Sequence, residues 1–136
     1  MPTTTSFTFG TRLAGTVAAV RPAVEAALKA EGFGILTEID VQATLKARLG
    51  VDRAPYVILG ACNPPLAHRS LEIDPSMGAL LPCNVVLRAD GAETIVEAMD
   101  PLAVLGIVDA PGVRDVAEEA RARLERAIAS LESGRG

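Results

Sequence analysis

A chain of 136 residues has the size of one domain and can bury a core without disulfide or metal staples. With 49% hydrophobic and 22% charged residues it is globular rather than disordered, and with 3% aromatics and no tryptophan its core must be Val, Leu, Ile and Ala. A net charge of −4, with so few rings for stacking, argues against nucleic acid.

In chain order, residues 3–11 alternate weakly and are rich in Thr and Phe, as an opening strand would be. Residues 16–31 read as a helix, because Val17, Val20, Val24 and Leu28 recur at helical spacing and Gly32 supplies the stop. Pro22 conflicts with an uninterrupted run, so the helix either starts near Arg21 or bends at the proline. Residues 33–40 form a strand with Ile35, Thr37 and Ile39 on one face and Leu36, Glu38 and Asp40 on the other. Asp40 then caps a short helix whose Val41, Leu45 and Leu49 share a face and which stops at Gly50.

Residues 56–61 are almost wholly apolar, the mark of a central strand buried on both faces. Asn63 followed by Pro64 is an N-cap with a first-turn proline, and it starts a helix carrying Leu66, His68 and Leu71. Asp74-Pro75 repeats that device in a single turn. Pro82 offers no ladder donor, so it belongs at the start or edge of the next strand. Residues 84–88 and 93–99 flank Asp90-Gly91, a two-residue hairpin signal. Asp100-Pro101 closes the sheet region, and the apolar residues 102–108 carry no clear pattern. Residues 113–131 are the clearest helix, with Val113, Val116, Ala117, Ala120, Leu124, Ala127, Ile128 and Leu131 inward and Glu119 paired with Arg123 outward.

The hairpin demands antiparallel pairing. The expected fold class is therefore α+β, a two-layer sandwich of a mainly antiparallel sheet with helices on one face. One domain is expected, with its core at about residues 5–132 and a frayed tail at 133–136. No apolar run approaches the roughly 18–20 residues of a membrane span. The N-terminus lacks the pattern of a secretory signal, so a reduced, cytoplasmic setting is expected.

The chemistry concentrates in one stretch. The only histidine and both cysteines fall within the 22 residues from Cys62 to Cys83, each cysteine followed by asparagine. The candidate ligand-binding set is Cys62, Asn63, His68, Cys83 and Asn84. Cys62, His68 and Cys83 are the candidate metal ligands, although a closed structural zinc site needs four. As the sole imidazole, His68 could serve a transition metal or a haem iron, or activate a nucleophilic Cys62 or Cys83. The plainer reading makes the cysteines small hydrophobes and His68 a surface residue. Glu38 and Asp40 could act as paired carboxylates, though capping and solvent account for them; Arg53, Tyr56 and Arg69 could orient an anion. No nucleophile elbow and no phosphate loop occur.

Three segments carry a family resemblance. They are Glu31-Gly32-Phe33-Gly34-Ile35-Leu36-Thr37-Glu38-Ile39-Asp40-Val41, then Tyr56-Val57-Ile58-Leu59-Gly60-Ala61-Cys62-Asn63-Pro64-Pro65-Leu66-Ala67-His68-Arg69, then Leu80-Leu81-Pro82-Cys83-Asn84-Val85-Val86. Together they closely resemble the domain-of-unknown-function 302 family over roughly residues 5–132. The resemblance implies a TATA-binding-protein-like outline, β-α-β-β-β-β-α, with the short helices after Asp40 and Asn63 as insertions, and a homodimer. It implies no DNA binding. Haem or metal binding is an idea the family pattern permits. The functional expectation is a non-enzymatic homodimer that binds a small ligand, a metal or haem around Cys62, His68 and Cys83. The alternatives are a structural or adaptor module without a ligand, and a thiol-dependent enzyme.

Overall fold

The computed structural model describes residues 2–133. The strands are β1 (Pro2–Thr4), β2 (Thr8–Ala14), β3 (Gly34–Asp40), β4 (Tyr56–Cys62), β5 (Cys83–Asp90) and β6 (Glu93–Met99). The helices are α1 (Val17–Ala30), α2 (Val41–Leu49), α3 (Pro64–Ile73), α4 (Pro101–Leu105) and α5 (Val113–Ser133), with a 3-10 turn at Pro75–Leu80. The strands form one six-stranded sheet in the order β1-β2-β6-β5-β4-β3, every neighbour antiparallel. Without β1, α2, α3, α4 and the 3-10 turn, the order is the expected β-α-β-β-β-β-α.

One face of the sheet is covered. Phe9, Leu13, Val96, Val85, Leu87 and Leu59 pack against Val20, Val24 and Leu28 of α1 and Leu124 and Ile128 of α5. Each such side chain contributes about 1.5–3 kcal/mol when fully buried, so this layer outweighs the exposed ion pairs at about 0–1 kcal/mol each. The inward stripe expected for α5 is buried throughout, and Arg123 reaches Glu119 at 3.3 Å on the outer side. The other sheet face has no helical layer. There Ile95 is nonetheless 4% exposed, because it lies in register between Arg12 and Arg88, whose stems cover it. Ion pairs with Asp90 and Glu97 hold those two arginines.

Several local expectations shift. The opening strand is broken after Thr4, where the Thr5 hydroxyl accepts from the backbone of Phe7 (3.2 Å) and Thr8 (2.9 Å) and replaces ladder bonds with a turn. α1 begins at Val17 under a Thr16 cap and runs through Pro22 rather than starting near Arg21. Pro22 and Ala18, whose carbonyl loses its partner, are both exposed, so water can serve that carbonyl. The hairpin loop is Gly91-Ala92, one residue later than expected; φ is positive at Gly91 alone, the type II′ pattern. Residues 101–105 become α4, capped by the Asp100 carboxylate accepting from Leu102 N at 2.9 Å.

β3 carries the main correction. Its pairing with β4 shifts register between Ile35 and Thr37, so Leu36 is a bulge. Ile35 therefore shares the core face with Glu38 and Asp40, opposite Ala61, Leu59 and Val57, while Thr37 and Ile39 turn to the open face. β4 is second from the edge rather than buried on both faces: Leu59 and Ala61 are buried, Ile58 only partly. α2 has no buried residue. On α3 the inward positions are Leu66 and Ser70, while His68 and Leu71 are exposed. Of the tail expected at 133–136, residues 134–136 lie outside the described residues, and Ser133 is the last residue of α5.

Two glycines give opposite expectations. A Cβ at Gly10 would collide with the backbone carbonyl of Val96 and lie 2.7 Å from the Glu97 Cα, whereas one at Gly34 would meet nothing within 4 Å. Gly10→Ala should destabilise by about 1–3 kcal/mol. Gly34→Ala should be neutral or stabilise by about 0.5 kcal/mol, since it only removes unfolded-chain freedom. Urea unfolding of both variants measures the difference.

Candidate ligand-binding site

The register of β4 and β5 builds the site. Ala61 faces Cys83 and Gly60 faces Asn84, so Cys83 joins the core face while Asn84 stands exposed on the other. Asn63 follows β4 and caps α3: its Oδ1 accepts from Leu66 N at 3.3 Å, and its Nδ2 donates to the Glu31 carbonyl at 3.5 Å. Arg123 Nη1 donates to the same carbonyl at 3.3 Å, so the C-terminal end of α1 is tied to both α3 and α5. Gly32 must be glycine here, with φ +87° and a would-be Cβ 2.9 Å from Asn63 Nδ2. Across the top of α3, Glu119 accepts from Arg69 at 2.8 Å and from Arg123 at 3.3 Å, and these bonds lower its pKa.

These elements line a half-open cavity of about 190 Å³. Its wall is Phe33, Leu36, Leu66, Leu105, Val116 and Ala120, completed by Ala61, Ala67, Leu81 and Pro82. The polar residues reaching it are Cys62, Asn63, Ser70 and Cys83; among the described residues, no Asp, Glu, Lys, Arg or His lines it. Ser70 Oγ donates to the Leu66 carbonyl at 2.9 Å and Asn63 is engaged in capping, so both polar side chains have partners within the fold. Both cysteines are free, Cys83 buried and Cys62 half-buried. Burial, and then the neighbouring Cys62, push the Cys83 thiol up to about 11.

The candidate set therefore divides. Cys62, Asn63 and Cys83 meet at the cavity; Asn84 and His68 do not. His68 lies two positions beyond Leu66, roughly 200° around the helix, in a shallow hollow with Arg69, Glu72, Gly112 and Asp115. Among the described residues, no three His, Cys, Asp or Glu side chains are placed to hold a metal. Arg53 stacks over Tyr56 at 5.6 Å, but Arg69 is spent on Glu119, so the three do not converge. Glu38 pairs with Arg21, and Asp40 caps α2 by accepting from Ala43 N at 2.9 Å, so the two are not an acid–base pair. Phe33, Leu36, Ser70, Leu105, Val116 and Ala120 are additions to the expected site; of these, Val116 and Ala120 lie on the inward stripe expected for α5, and Ser70 follows Leu66 by one helical turn.

The family model described as domain of unknown function DUF302 matches residues 9–131. The chain belongs to the DUF302 family. Its fold is similar to the crystal structure of an uncharacterized conserved DUF302 protein from Bacillus stearothermophilus, with TM-score 0.85 and 28% identity over 92% of this chain and 98% of that one. No curated protein matches. Among the described residues of this DUF302 chain, no helix is long and apolar enough to cross a membrane.

The Cys83 thiol makes stability depend on pH. Its ordinary value is 9.0 and its folded value about 11, so between the two the unfolded chain has released a proton that the folded chain keeps. Stability is full below pH 9 and falls as pH rises toward 11, by up to roughly 3 kcal/mol. Under reducing conditions, urea midpoints at pH 8 and 10.5 should differ in this DUF302 protein, and Cys83→Ala should reduce that difference.

Proposed function

We propose that this DUF302 protein is a non-enzymatic binding protein that takes a small ligand into the cavity between Cys62 and Cys83. The observation that carries this is the cavity itself, a walled apolar space at the sheet end where two cysteines and a capping asparagine meet. Metal or haem ligation by Cys62, His68 and Cys83 has less support, because His68 stands on the outer side of α3. A thiol enzyme has less support too, since Cys83 keeps its proton at neutral pH and, among the described residues, no base lines the cavity. Two free cysteines favour a reducing, cytoplasmic setting.

Ligand-observed NMR of a small-molecule library should return binders whose protein shifts centre on Phe33, Leu66 and Cys83. Ala67→Phe, which fills the cavity, should abolish them. Binders that map elsewhere, or none, would leave the ligand-free adaptor as the better reading.

The assembly we propose is a homodimer joined through the open sheet face. Ile39, Ile58 and Val86 align in register there without the arginine cover that protects Ile95. Ile39 is 49% exposed on the edge strand. Light scattering should give twice the chain mass, and Ile58→Lys should give the monomer; a monomeric native protein sinks the proposal.

A further inference from the structure

We infer that the ligand of this cavity is a neutral, apolar molecule about the size of one ring, an inference that rests on the binding reading above. Size comes first. A closed apolar cavity of about 150 Å³ is known to take benzene, and this one holds about 190 Å³, enough for a ring with one or two further carbons. A much longer occupant would have to leave by the mouth.

Charge comes next. Among the described residues, no ionisable side chain except the two thiols reaches the wall. Cys83 is held in its neutral form by its burial, so the floor of the cavity carries no charge at neutral pH. Asn63 spends its oxygen on Leu66 N and its amide on the Glu31 carbonyl, and Ser70 spends its proton on the Leu66 carbonyl. What remains to a ligand is carbon, sulfur, weak S–H donors and the second, uncharged hydrogen-bonding positions of Asn63 and Ser70. A carboxylate or ammonium would lose its water and find no counter-charge, which costs far more than burying a neutral ring.

The bulge adds a rim. Leu36 borders the cavity yet is 67% exposed, so it is positioned to cover an occupant rather than to support the core. Because Leu36 is solvated in the free protein, its truncation leaves the fold intact and reads binding alone.

Matched probes test this on the native protein by chemical-shift titration: toluene and indole as neutral rings, benzoate and benzylammonium as charged partners of similar size. Toluene and indole should bind with shifts on Phe33, Leu66 and Cys83, and the charged pair should bind at least about 100-fold more weakly. Leu36→Ala should weaken the neutral probes about tenfold, the loss of one side chain's apolar cover. Benzoate or benzylammonium binding there as tightly as toluene would overturn the neutral class while leaving a ligand site in place. Shifts on other surfaces, or no binding by any probe or library member, would overturn both.

Discussion

A six-stranded sheet that is covered on one face only is the constraint on which this protein depends. The covered face supplies the apolar burial that offsets chain entropy, and α1 and α5 are held where that burial places them. The first turns of α5 pack instead on α3, α4 and the 3-10 turn. Val113 and Ala117 pack with Met77 and Leu105, and Val116 and Ala120 with Leu66. The cavity is the seam between the large core and these two smaller clusters. It exists because three packing units share one long helix without merging.

The polar residues around the seam hold the walls rather than face an occupant. Asn63, Arg69, Glu119 and Arg123 link the start of α3, the C-terminal end of α1 and the middle of α5 through the Glu31 carbonyl and the Glu119 carboxylate. Each exposed pair contributes little energy, but together they define the spacing of the helices. The asparagine after Cys62 thus belongs to architecture. The asparagine after Cys83 stands on the open face, where nothing ties it to the same site.

Much of this could be read along the chain. The buried stripe of α1, the whole inward face of α5, the caps at Asp40, Asn63 and Asp74 and the β5–β6 hairpin all follow from local spacing and side-chain chemistry, which act over a few residues. The family resemblance followed from motifs that are themselves local. The misreadings that bear on the site share one cause. The faces of β3, the inward side of α3 and the distance of His68 from the cysteines are all decided by contacts with segments far away in sequence.

What the sequence alone determined is the inventory: most helix caps and stops, one antiparallel hairpin, and which chemistry the chain has available at all. Those are properties of neighbouring residues. Only the tertiary structure decided how the inventory is divided. A single extra residue at Leu36 turned one half of β3 over, and two positions of helical rotation carried His68 away from Cys62 and Cys83. Side-chain direction accumulates along a strand or helix, so one unforeseen bulge or one unknown partner reassigns every residue that follows.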